Sequence, residues 1–273
     1  MITCSNIGDN GRFGNQLFQF ASLIGIGDKL NYEVLFPKKN LKQINISSTR
    51  ENKTFVAYFE INECFDIDQK FFTDDLIIEK RVSERFFHFD ENLFNILDNT
   101  DVNGYLQSEK YFKHCSDKIM DILKFKDSII TSAKSYLPKT DKTLVSIHVR
   151  RTDAAVPNPY HPLTGLDFFN PAIEHFNKDE YHFVVCSDDY EWCNNVWGND
   201  ENFTVVNSKS PYVDLCVMSL CDHHIISNSS FSWWSSYLSK NKNKKIIAPI
   251  KWLGTGYSTY ITDDLYTENM IKL

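Results

Sequence analysis

The sequence has no long apolar run, no paired-cysteine motif and no surplus of positive charge, and each absence removes a class of function. No stretch reaches the roughly 20 apolar residues that a membrane-spanning helix needs, so no integral membrane segment is expected. The opening MITCSNIGDN has neither a basic nor an apolar leader region, which makes a cytoplasmic location the expectation. A net charge of −7 with a pI near 5.6 argues against a general nucleic-acid or anionic-membrane partner, so any cluster of arginines must act locally. Seven cysteines, an odd number with no C-x-x-C pair, point to reduced thiols rather than a disulfide framework. Cys216, Cys221, His223 and His224 look like a zinc set, but adjacent histidines in a strand point to opposite faces and cannot converge on one ion. There is no internal repeat and no low-complexity segment. The glycine-bearing GRFGNQ lacks the Gly-Lys-Ser/Thr ending of a P-loop.

What is present is 273 residues of ordinary globular composition, 42% hydrophobic, enough for two modest domains. The start reads strand, loop and helix, with LFQFASLIGIGDKL at helical spacing and YEVLFP as a second strand. Residues 38–100 show only scattered short apolar runs. VNGYLQS then reads as a strand, and EKYFKHCSDKIMDILKF and DSIITSAKSYL as two amphipathic helices. The polar PKTDKT at 138–143 is the candidate linker, which divides the chain into 1–140 and 141–273. Beyond it, strands TLVSIHV, YHFVVC, FTVV, HHIIS and KKIIAP alternate with helical segments, the pattern of a parallel, doubly wound α/β sheet.

Four loops follow strands on what this pattern makes one edge: GDNGRFGNQ, RRTD, SDD and SNSSFSWW. Open α/β sheets bind ligands at that edge. In VSIHVRRTD the apolar Val145, Ile147 and Val149 alternate into Arg150 and Arg151, whose guanidinium forks suit phosphate oxygens. Ser227, Asn228, Ser229 and Ser230 are small capping residues ahead of a helix, whose N-terminal N–H groups and dipole also favour an anion. Together the two loops suggest a diphosphate site that needs no metal.

GRFGNQLFQFA, GYLQSEKYF, VSIHVRRTD, FVVCSDDYEWC and MSLCDHHIISNSSFSWWSSYL resemble, in order and spacing, the motifs of glycosyltransferase family 11, the α-1,2-fucosyltransferases. The likeness runs from about residue 8 to about residue 250 and is weakest between 38 and 100. The HxRRxD form is shared with α-1,6-fucosyltransferases, and GRFGNQ with protein O-fucosyltransferases. The resemblance implies an α/β fold of GT-B type, two Rossmann-like domains facing across a cleft. The N-terminal one would lie on the acceptor side and the C-terminal one would bind the GDP-sugar. It implies GDP-β-L-fucose as donor, inversion to an α-fucoside, a β-galactoside-terminated glycan acceptor with galactose O2 as the expected hydroxyl, and no metal or other cofactor. Another GDP-sugar, another fucosyl linkage, or a degenerate sugar-binding module are the alternatives.

By the same resemblance Arg150, with Ser229 and Ser230, would hold the diphosphate, His148 would contact the nucleotide and Asp153 would orient the arginines. Asp214 would read guanine, and Asn15 would approach the reacting centre from the other domain. Gly14, Arg151, Ser187, Asp188, Asn228 and Phe231 complete the donor-contacting set. SDD resembles the Asp-x-Asp that holds manganese in another transferase fold, but the arginines make a metal redundant. No acid stands between Asp153 and Asp167, so His161 is the nearest candidate for a general base. Two departures from the family pattern, Thr152 in place of glycine and Ser235–Ser236 after the tryptophans, remove no charge. The loop AAVPNPYHPLTG, with three prolines, bears on the acceptor.

Overall fold

A computed structural model describes residues 1–9, 11–41, 44–48, 53–151 and 159–273. The chain forms two compact units, Met1–Lys124 with Tyr260–Leu265, and Phe125–Thr259 with Tyr266–Leu273. This division falls ahead of the 138–143 segment, because the helix at Asp127–Tyr136 packs with the second unit, and a short C-terminal stretch returns to the first.

In the N-terminal unit, β1 (Ile2–Thr3) is followed by α1 (Phe13–Leu30), β2 (Phe36–Pro37), β3 (Ile44–Ser48), β4 (Lys53–Ala57), α2 (Ile61–Cys64), β5 (Phe72–Thr73), β6 (Lys80–Ser83), β7 (Thr100–Asn103) and α3 (Ser116–Ile122). Strands β1, β7 and β6 pair in parallel in that order, while β2–β5 and β3–β4 are separate pairs. α1 is buried on every side from Phe13 to Gly27 apart from the half-exposed Asn15, the mark of a central helix rather than a surface one. It ends at Asn31, at a left-handed φ of 56°, where the Asn31 N–H reaches back to the Asp28 carbonyl and the Tyr32 N–H to that of Gly27. Phe20, Phe36, Phe59, Phe71 and Phe72 interlock beside it with ring centroids 5.0–6.4 Å apart.

Two expectations change here. The strand at 102–108 stops at Asn103, because the chain turns at Gly104 and Leu106, the latter at φ 53°. The long helix over 109–125 is two 3-10 turns, Glu109–Tyr111 and Lys113–Cys115, followed by the short α3. Close contact with α1 fixes the 3-10 segment: a Cβ on Gly25 would sit 2.1 Å from the Tyr111 carbonyl.

The C-terminal unit contains α4 (Asp127–Tyr136), β8 (Thr143–Val149), α5 (Leu166–Glu174), β9 (Tyr181–Ser187), α6 (Tyr190–Trp197), β10 (Phe203–Val205), α7 (Pro211–Ser219), β11 (His223–Ile225), α8 (Ser230–Leu238), β12 (Ile246–Ala248) and β13 (Met270–Lys272). All six strands are parallel in the order β10-β9-β8-β11-β12-β13. Renumbered within the unit this is 3-2-1-4-5-6, the doubly wound order whose switch point lies between its first and fourth strands. The β13 edge carries too short an apolar run to read as a strand. The two-residue period sorts the core: Val145, Ile147, Val149, Phe183 and Val185 face α5 and α6, while Val184 and Cys186 face α4 and α7. Ser146 and His148 therefore fall on the face opposite Ile147.

The Gly25 contact is directly testable. Gly25→Ala should destabilise the chain by about 1–3 kcal/mol, the usual cost of overpacking, read as the shift of a denaturant unfolding midpoint. An unchanged midpoint would show that α1 and the Tyr111 turn are not in register as described.

Candidate functional site

The switch point brings the ends of β8 and β11 together. His148, the penultimate residue of β8, is 7% exposed, and its Nδ1 lies 2.8 Å from the Ser227 hydroxyl just beyond β11. Its ring sits 5.2 Å from that of Phe231 in the first turn of α8. Burial pushes the imidazole down from 6.5 to about 4, with Arg150 acting in the same direction and Asp188 against it. His148 is thus neutral at ordinary pH, and one ring nitrogen is committed to Ser227.

One residue past β8, Arg150 extends Nη1 to the Ser229 hydroxyl at 3.5 Å. Ser229 is the N-cap of α8 and accepts the Phe231 N–H at 3.3 Å. Ser232 fastens the turn from below by donating to the Ser227 and Ser229 carbonyls at 3.2 and 3.1 Å. A guanidinium and a helix N-terminus, both electropositive, are thereby set side by side at the carboxyl edge of the sheet. That arrangement is suited to a multiply charged anion.

Arg151 is held differently. Its backbone N–H donates to Asp188 at 2.8 Å, its Nε to Asp189 at 3.1 Å, and its guanidinium lies 4.1 Å from the Trp192 ring centroid. Asp189 also caps α6 by accepting the Trp192 N–H at 3.1 Å, and its own N–H donates to the Ser187 hydroxyl at 2.9 Å. The SDD carboxylates therefore fasten Arg151 and a helix start. Asp153, expected to orient the arginines, lies outside the described residues.

Asn228 has both amide hydrogens engaged, on the Pro162 and Trp252 carbonyls at 3.0 and 3.1 Å, and its oxygen accepts from Thr164 at 2.8 Å. Its side chain thus ties two loops together. His161, in one of those loops, is exposed, with its ring 5.8 Å from that of Tyr257. Ser230 opens α8 and is half-buried.

Asp214 stands in the first turn of α7, with its N–H bonded to the Ser210 carbonyl and its own carbonyl 3.9 Å from Cys186 Sγ near the end of β9. Burial pushes its carboxyl up to about 6 despite a 2.5 Å hydrogen bond from the Ser208 hydroxyl. It lies at the end of β9, the strand next to β8, whose end leads into Arg150.

Gly14 and Asn15 open α1 in the N-terminal unit. Asn15 accepts from Gln107 Nε2 at 2.9 Å and packs under Gly11, where a Cβ would come within 2.1 Å of its amide nitrogen. Gly11 is at φ 87°, a conformation side chains rarely adopt. Among the described residues one His/Cys/acid group has metal-like spacing, Asp28, His114 and Cys115 in the N-terminal unit, but the Asp28 carboxylate already takes a 2.7 Å bond from Lys118. His223 and His224 diverge, the first accepting from Lys245 N–H and the second bonded to Ser146.

Sequence reasoning missed Asp189, Trp192 and Ser208. The signal for Asp189 was available, an acid three residues ahead of the amide it caps. Nothing local marks Ser208 as a partner of Asp214.

The model of glycosyl transferase family 11 matches residues 2–269. The O-antigen biosynthesis glycosyltransferase WbnK of Escherichia coli is 26% identical over 280 residues, 96% of this chain and 86% of that protein. An alpha-1,2-colitosyltransferase of Escherichia coli is 32% identical over 161 residues, covering 55% of this chain and 54% of that one. Galactoside alpha-(1,2)-fucosyltransferase 1 of Homo sapiens is 23% identical over 246 residues, 84% of this chain and 64% of the human one. The match thus spans about half of the colitosyltransferase and just under two thirds of the human protein. A crystal structure of POFUT1 in complex with GDP superposes with a TM-score of 0.50 at 14% identity, over 90% of this chain and 97% of that one. The fold is the GT-B-type α/β class expected from the sequence.

The depressed imidazole gives a signed prediction. A histidine with a folded pKa below its unfolded value contributes stability fully above 6.5 and loses it as pH falls toward 4. Between pH 7.5 and 4.5 the loss assignable to His148 is about 2–3 kcal/mol, and His148→Asn should lack it. Denaturant midpoints of both proteins at the two pH values check this. Equal acid losses would place His148 in contact with water.

Proposed function

The chain belongs to glycosyl transferase family 11, and on that footing we propose that it is an inverting, metal-independent fucosyltransferase, moving L-fucose from GDP-β-L-fucose to a glycan hydroxyl, galactose O2 of a β-galactoside. The observation that carries this reading is the pairing of Arg150 with the N-cap of α8 at the switch point. Together they offer fixed positive charge where a departing diphosphate gathers negative charge. Preorganised charge of this kind is usually the largest catalytic contribution.

In the proposed step the acceptor oxygen attacks the anomeric carbon from the face opposite GDP. The bond from that carbon to the β-phosphate oxygen breaks, and its electron pair leaves on the diphosphate. Arg150, Ser229 and Ser230 stabilise that oxygen, and the acceptor proton passes to His161 or to water. Neutral His148, fixed by Ser227, contacts the nucleotide without adding charge. Arg151, clamped by Asp189 and Trp192, shapes the loop that carries Arg150 and adds background field. By the family likeness Gly14 is assigned to the donor and Asn15 to the reacting centre. Because Asp188 and Asp189 are occupied by Arg151 and a helix cap, the positive charge in this reading comes from arginine.

Asp214 is the proposed guanine reader. Guanine offers N1–H and an N2 amine side by side, which one carboxylate can accept together, whereas adenine offers no such pair and uracil only one donor. In this reading the nucleoside extends from the diphosphate site along the sheet edge past the end of β9 to Asp214. A second donor remains in view because of the colitosyltransferase likeness; a colitosyl nucleotide would share every contact described except those to the sugar.

Asp214→Asn should weaken GDP binding by roughly 2–4 kcal/mol, as for a broken buried charged pair, and should erase a thermal-shift preference for GDP over ADP and UDP. Since the carboxyl titrates near 6, wild-type affinity for GDP should also fall more steeply than that of the variant as pH drops through 6. Equal stabilisation of both proteins by GDP at pH 7.5 would remove Asp214 from the site.

A further inference from the structure

We propose that Glu84 is a positioning residue for transfer: it clamps the turn Gly104–Gln107, through which Gln107 sets the amide of Asn15. This rests on the reading above that Asn15 acts at the reacting centre. Glu84 directly follows β6, and its Oε2 accepts the N–H groups of Tyr105 and Leu106 at 2.9 and 3.1 Å. The carbonyl side of the same turn is gripped by α1, where Gln19 donates to the Gly104 carbonyl at 2.9 Å and Ser22 to that of Leu106 at 3.0 Å. Leu106 is buried at φ 53°, a left-handed conformation that residues with a side chain disfavour. Such a turn persists only when its surroundings impose it. Gly104 leaves room for the clamp, since a Cβ there would sit 2.6 Å from that of Glu84.

The next residue transmits the geometry. Gln107 is 7% exposed and donates Nε2 to Asn15 Oδ1 at 2.9 Å, which fixes the orientation of the Asn15 amide. The other Glu84 oxygen, Oε1, is enclosed and has no hydrogen-bond partner among the described residues. An oxygen so enclosed does not meet an acceptor hydroxyl, so Glu84 acts through Asn15 rather than on substrate. Burial lifts the carboxyl to about 7. A proton on Oε1 leaves both bonds to Oε2 intact, and glutamine reproduces that neutral form.

The test uses the full chain with GDP-fucose and a β-galactoside. Glu84→Ala should lower kcat by about tenfold or more while the KM for GDP-fucose and the calorimetric affinity for GDP stay within about twofold. Glu84→Gln should keep kcat within about threefold of wild type. Gln107→Ala should reproduce the loss, and the double variant Glu84→Ala/Gln107→Ala should be no worse than either single one. Hydrogen exchange at residues 104–107 should accelerate in Glu84→Ala and not in Glu84→Gln. Near-normal kcat in Glu84→Ala, additive losses in the double variant, or a Glu84→Gln loss with protected amides would overturn the proposal. If Glu84→Ala fails to fold, Gln107→Ala and Glu84→Gln decide it. If wild type shows no turnover of GDP-fucose, the donor reading fails, and the exchange rates still judge the clamp.

Discussion

Arg150 and the N-terminus of α8 are both electropositive, and the fold holds them together at one point of the sheet edge. Neither neutralises the other. Water covers such a pair at moderate cost, but an anion that excludes water gains from both at once. The surrounding structure serves to keep that pair in place. Val145, Ile147 and Val149 anchor β8 in the core immediately ahead of Arg150, and Trp233 and Trp234 bury the helix whose cap Arg150 meets.

The neutrality of His148 follows from the same constraint. A charged imidazole there would add a third positive group in a buried position, and desolvation together with Arg150 keeps it deprotonated. Arg151 avoids the same crowding by turning to Asp189 and Trp192. Of two adjacent arginines, one is thus committed within the protein while the other meets the helix cap. Asp214, a half-buried acid with a raised pKa, stands at the end of β9. A dipolar edge, positive at the switch point and acidic beyond it, matches a ligand with phosphate at one end and N–H donors at the other.

The C-terminal unit was legible because its strands are buried on both faces and alternate with helices. Expected strand TLVSIHV and helix YEWCNNVW coincide with β8 and α6. The N-terminal unit was not, because its order comes from distant pairings. β7 inserts between β1 and β6, and five phenylalanines between Phe20 and Phe72 meet in one cluster. Periodicity over a short window carries no information about either. Within the site, residue types were readable and their partners were not. Asn228 and Arg151 have the chemistry of ligand contacts, and their protein partners in neighbouring segments left no mark in the sequence. Glu84 and Gln107 act through a turn whose left-handed leucine no sequence rule marks.

The central claim is that protein groups alone, Arg150 above all, supply the positive charge for a nucleoside diphosphate. Calorimetric titration of GDP into the chain in EDTA-containing buffer tests it most directly, with Arg150→Lys measured alongside. The account predicts that wild-type affinity is unchanged by EDTA and that Arg150→Lys, which keeps the charge but loses the guanidinium fork, binds at least about tenfold more weakly. Binding that disappears in EDTA and returns with manganese, or an Arg150→Lys variant that binds as wild type does, would contradict it.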